Sequence, residues 1–135
     1  MFMNVFQHLY AYLQYRYAVK KADIAHENNR VRYYVLPNAR GKVRLIVTDR
    51  QNFRRLRLKH YIGENVKMAE VQMSCFYYTA DASGKGAISD EMKSLRLMKY
   101  YDWVQKRLNR AKKERKEKRR ARFEFFKRRL FKSSK

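Results

Sequence analysis

The sequence predicts an α+β fold: a small head of order α-β-β-α-β-α whose long C-terminal helix extends into a basic arm. Three observations predict it. Residues 31–48 hold two runs that alternate around a turn, and other stretches repeat apolar residues at helical spacing. Only one Pro and four Gly interrupt 135 residues, so most of the chain belongs in regular elements. The length fits one domain plus an extension, read as a compact head over 1–104 and a basic, Phe-containing helical arm over 105–135.

The first helix is expected over residues 4–27. Phe2, Phe6, Leu9, Leu13, Tyr17 and Ile24 recur at steps of three, four and seven, and mark the expected core stripe. Tyr10, Tyr12, Tyr15 and Tyr17 cannot all face one core, so some belong at the surface or against another subunit. Next comes a hairpin. Val31, Tyr33 and Val35 alternate with Arg32, Tyr34 and Leu36; Pro37 to Gly41 turns the chain; Val43, Leu45 and Val47 return it. One face is apolar and the other mixed.

A basic helix follows, with Thr48 as N-cap at capping-box spacing from Gln51, and Gly63 placed to close it. Val71, Met73, Cys75 and Tyr77 alternate with Gln72, Ser74, Phe76 and Tyr78, which predicts a third strand over 66–79 with a bulge near Ala69 and Glu70. A helix over 64–74 is the alternative. Asp81 to Gly86 reads as a loop. Ser89 then caps a long helix with Asp90 and Glu91 in its first turn and Leu97, Tyr101, Val104, Leu108 and Ala111 on its core face. Lys113/Glu117 and Glu114/Lys118 favour its continuation.

Charge carries the functional reading. The chain has a net charge of +22; residues 105–135 hold 16 Lys and Arg against three Glu, or +13, leaving +9 on residues 1–104. A helix charged on every side buries no core, and charge this dense repels itself until a polyanion neutralises it. The expected phosphate contacts are Lys106, Arg107, Arg110, Lys112, Lys113, Arg115, Lys116, Lys118, Arg119, Arg120 and Arg122. Arg54, Arg55, Arg57 and Lys59 of the basic helix form a second candidate surface with Arg40 and Lys42 of the hairpin tip, flanked by Arg32 and Arg44. Phe123, Phe126 and Leu130 keep helical spacing after the charge run and are read as a protein-docking stripe.

The expected function is thus non-enzymatic, sequence-independent binding of RNA or DNA. The alternative is a structural component of a large assembly, such as a viral or phage particle or a ribonucleoprotein, held mainly by contacts with other protein subunits. A compact head with a cationic extension resembles, in composition alone, ribosomal proteins and small virion or nucleoid proteins. A membrane partner is disfavoured, because the apolar face between Lys112 and Phe131 is short.

No motif for chemistry stands out. His8, His26 and His60 are scattered, and Ser83-Gly84-Lys85-Gly86 lacks the first Gly and the hydroxyl residue of a phosphate-binding loop. The dispersed acids offer little to a two-metal centre, so no metal or cofactor is expected. A small ribonuclease built from Arg, Lys and Tyr is the enzyme class that composition leaves open. Cys75 is the single cysteine, which predicts no internal disulfide, no thiolate zinc site and a reducing, cytoplasmic setting. The N-terminus lacks the pattern of a secretory signal.

Overall fold

The computed structural model describes residues 3–40 and 43–133. Its elements are α1 (Val5–Asn29), β1 (Tyr33–Pro37), β2 (Leu45–Asp49), α2 (Arg50–Leu58), α3 (Met68–Ser74), β3 (Tyr77–Tyr78) and α4 (Asp90–Ser133). The fold is α+β as expected, with one helix more in the order. The three strands form an antiparallel sheet, β2-β1-β3, in which Val35 faces Val47 on one side and Tyr77 on the other. Phe2 of the expected stripe and Gly41 and Lys42 of the hairpin turn lie outside the described residues.

α1 begins where its cap dictates. The Asn4 side chain accepts from the Gln7 amide at 2.8 Å, and the Gln7 side chain accepts from the Asn4 amide at 3.2 Å, which satisfies two otherwise orphaned donors. Its core face corrects the expected stripe. Ala11, Tyr15, Ala18 and Ala22 are buried, whereas Phe6, Leu9, Leu13, Tyr17 and Ile24 are exposed. α1 packs across β1 and β2. The three alanines let the helix axis approach the sheet closely, and the large side chains are left on the far side.

The hairpin forms in the expected phase, and both sheet faces are covered, the mixed one included. Val35 joins the α1 side together with Phe76, Tyr77, Ile88, Tyr100 and Val104. Tyr34 and Leu36 point the other way, into a second cluster with Phe53, Ile62, Val71 and Cys75. β1 is therefore buried on both faces, as the central strand of a covered sheet should be.

The caps of α2 differ from those expected. Asp49, one residue after Thr48, accepts from the Asn52 amide at 2.8 Å, while Thr48 is buried in the sheet. At the other end His60 takes φ 65°. The His60 amide donates to the Arg57 carbonyl at 3.1 Å and the Tyr61 amide to the Leu56 carbonyl at 3.0 Å. This is a Schellman closure, so His60 occupies the left-handed position expected for Gly63.

The predicted third strand is a correction as well. Residues 68–74 are helical, without the expected bulge, and only Tyr77–Tyr78 pair with β1. Glu70 sits in the first turn of α3, where the helix dipole favours an acid. At the far end two cations from α4 bind the carbonyls: Lys99 Nζ donates to Ser74 O at 2.9 Å, and Arg96 Nη1 donates to Cys75 O.

α4 runs antiparallel to α1. Tyr100 donates its hydroxyl proton to Ala11 O at 2.9 Å and His8 stacks on Tyr101 at 4.3 Å. Tyr100 is wholly buried against Tyr15, Phe76 and Trp103. The expected α4 stripe is rotated slightly: Tyr100 and Val104 are buried, with Leu97, Tyr101 and Leu108 packed beside them.

Candidate nucleic-acid interface

The helix that fills the core also carries the arm. At about 1.5 Å per residue, the 44 residues of α4 extend roughly 66 Å. Residues up to Ala111 are intermittently covered; from Lys112 to Lys132 every residue is exposed. That exposed stretch holds twelve Lys and Arg against Glu114, Glu117 and Glu124, a net +9 over roughly 30 Å of helix. Its side chains point in all directions, so any approaching polyanion meets cations.

The predicted arm residues divide at this point. Lys106 pairs with Asp102 at 2.9 Å, and the half-buried Arg107 guanidinium lies 5.0 Å from the Trp103 ring centroid. Burial and the neighbouring Arg110 push the Arg107 pKa down. Both contacts lie within α4 itself; Lys106 remains exposed and Arg107 is half-buried. Arg110, Lys113, Arg115, Lys116, Lys118, Arg119, Arg120 and Arg122 lie with Lys112 on the exposed stretch or at its border.

The second candidate surface is partly assembled. Arg40 stacks 3.9 Å from the Tyr61 centroid and donates to Lys59 O at 2.7 Å. The Ala39 amide donates to Tyr61 O at 2.8 Å. The hairpin tip is thus tied to the end of α2, which brings Arg40 and Lys59 together. Arg57 is half-buried and donates to Val66 O at 3.3 Å, whereas Arg54 and Arg55 are exposed. Arg44 is exposed as well.

Arg32 has a structural position. Its guanidinium donates to Thr79 O at 3.0 Å, Gln72 Oε1 at 2.7 Å and Gly86 O at 2.9 Å. Gly86 sits at φ 72°, a conformation that favours glycine, and a Cβ there would fall 2.6 Å from Arg32 Nη2 and displace the guanidinium. The Ser83–Gly86 loop is closed on itself: the Asp81 carboxylate accepts from the amides of Ser83 and Lys85 at 2.9 and 3.0 Å. The hydrogen bond from Ser83, then the Lys85 amide, hold the Asp81 carboxyl below its usual range.

Sequence reasoning missed Arg96 and Lys99. Arg96 is buried, and its guanidinium also lies 3.8 Å from Cys75 Sγ. Burial pushes the Cys75 thiol up in pKa, with Arg96 opposing, and burial pushes Lys99 down. A signal existed: Arg96, Tyr100, Trp103 and Arg107 follow steps of four, three and four, the spacing of one helix face.

At the end of the arm, Phe123, Phe126, Leu130 and Phe131 are exposed and line a shallow apolar depression with Lys127. Phe126 lies eighteen residues, or five full turns, after Leu108, on the same face of α4. Among the described residues, no helix is long and apolar enough to cross a membrane. No family model, curated protein or solved structure matches the chain.

Proposed function

We propose that this is a non-enzymatic nucleic-acid-binding protein, and that the arm from Lys112 to Lys132 makes sequence-independent phosphate contacts. One observation carries the reading: twelve cations against three acids stand exposed on every side of a continuous helix anchored in a packed head. A helix of this kind gains free energy by releasing condensed counterions from a polyanion, and that gain requires no base readout. The Arg40, Lys59, Arg54 and Arg55 surface supplies a second, smaller set of contacts.

The test is fluorescence anisotropy on single-stranded RNA, duplex RNA and duplex DNA over a salt series. If about half of the twelve arm cations meet phosphate, log K against log salt for duplex DNA falls with a slope of about −5. Near-equal affinity for unrelated sequences is expected. A shallow slope, or full binding after the exposed arm cations are changed to Gln, would sink the proposal.

A second reading rests on the exposed Phe123, Phe126 and Leu130. A structural component of a larger assembly would use this stripe against a protein subunit. Phe126→Ser with Leu130→Ser would then abolish incorporation into the assembly while leaving the salt-dependent binding intact.

A further inference from the structure

α1 carries a second apolar seam that the core does not use. Phe6, Tyr10, Leu13 and Tyr17 recur at steps of four, three and four; Lys20 and Ile24 continue the same alternation. This is the a/d spacing of a coiled coil. The seam lies half a turn away from Ala11, Tyr15, Ala18 and Ala22, so it faces outward. Phe6 is 82% exposed, Tyr10 64% and Tyr17 71%. With Leu9, Leu13 and Ile24 the seam offers roughly 700 Å² of apolar surface, taking ~200 Å² per aromatic side chain. That exceeds the ~300–600 Å² patch usual on a monomer and approaches the ~800 Å² per partner of a standard interface.

We propose that this seam binds the same seam of a second copy, with the two α1 helices antiparallel about a twofold axis between Leu13 and Tyr17. Charge selects both the partner and the orientation. Residues 1–15 contain no Asp, Glu, Lys or Arg, although the chain carries +22. Two strongly cationic copies can approach through this stretch without opposing charged side chains. In the antiparallel register Phe6 meets Ile24, Leu13 meets Tyr17, and Lys20 meets Tyr10. A parallel register would set Lys20 against Lys20.

The arms add to this preference. Asn4 and Gln7 lie beside Leu108 and Asn109, while Leu13 to Asp23 lie beside Lys93 to Leu97. Each α4 therefore leaves the head past the N-terminus of its own α1. Antiparallel pairing sends the two arms to opposite ends, whereas parallel pairing would align them side by side. The same direction carries Phe126 and Leu130 away from the seam of their own chain. A neighbour's arm would bring its cations against Arg16, Lys20 and Lys21, so the arm does not cover the seam.

The test is sedimentation equilibrium of the nuclease-treated full chain at about 0.5 M salt, which screens the arms. The wild-type chain is expected at twice its 16.6 kDa mass. Leu13→Glu is expected to weaken the dimer roughly a hundredfold or more, with unchanged circular dichroism because Leu13 is exposed. Tyr17→Glu provides an independent second variant. Phe126→Ser with Leu130→Ser should leave the mass unchanged. A wild-type monomer at up to ~100 µM, where an interface of this size should form, would overturn the proposal. So would a dimer that survives both Glu variants, a dimer lost only in the Phe126/Leu130 variant, or a monomer whose seam instead holds it on phosphatidylserine vesicles.

Discussion

Arg96 and Arg119 stand on one helix, about 35 Å apart at ~1.5 Å per residue, and have opposite surroundings. Arg96 is buried, with its guanidinium on the carbonyl that ends α3; Arg119 stands exposed among other cations. The same division separates Arg32, with three carbonyl acceptors, from Arg122. In the head, a cation satisfies backbone carbonyls that would otherwise be orphaned, and its loss is read as stability. In the arm, a cation adds to a field, and its loss is read as affinity for a polyanion. One residue type thus serves two ends, and burial decides which.

The largest test of this contrast changes Lys112, Lys113, Arg115, Lys116, Lys118, Arg119, Arg120 and Arg122 to Gln. Affinity for duplex DNA at ~0.1 M salt should fall about a thousandfold and the salt slope should flatten by about four, if half of these residues meet phosphate. The melting temperature should stay within about 1 °C, because exposed charges contribute little to stability. A drop of several degrees would mean the arm is part of the folded unit.

The reciprocal variant is Arg96→Ala. It leaves the Cys75 carbonyl without its donor and opens space beside the Cys75 thiol, so a loss of about 2 kcal/mol is expected from chemical denaturation. Nucleic-acid affinity at a temperature where the variant is folded should not change. A large affinity loss would assign Arg96 to the binding surface.

High pH should separate the regions too. Burial pushes Tyr15 up to about 12, raises Tyr100, and with the Asp23 hydrogen bond raises Tyr77; burial raises Cys75 as well. A raised folded pKa means that the folded state holds the proton more tightly. The stability these groups supply is therefore whole at neutral pH. It is lost as pH rises above the ordinary Cys range and then from about 10 toward 12. Absorbance near 295 nm should show a late tyrosine phase that coincides with loss of the circular dichroism of the head. Early titration of every tyrosine would contradict the buried aromatic core.

The smallest effect concerns α2. His60 holds a left-handed backbone at φ 65°, which costs a non-glycine residue about 1 kcal/mol. His60→Gly should raise stability by about 0.5–1 kcal/mol, measured by urea unfolding. A loss would show that the His60 side chain, 3.7 Å from Glu64, matters more than the backbone.

The sequence alone determined the elements whose signals are local. The alternation over 31–48 gave the hairpin its phase. Ser89 with Asp90 and Glu91 marked the start of α4, and the charge run gave the arm its surface, since no core can accept so many cations. The tertiary structure decided the rest. α1 carries two seams at helical spacing, one of large apolar residues and one of alanines with Tyr15, so periodicity could not choose between them; the close approach to the sheet chose the alanines. Residues 68–74 fit both a strand and a helix. Arg96 and Lys99, more than twenty residues away in the chain, bind the carbonyls that a helix leaves open. No local window contains that pairing, because the groups meet only when α4 packs against the end of α3.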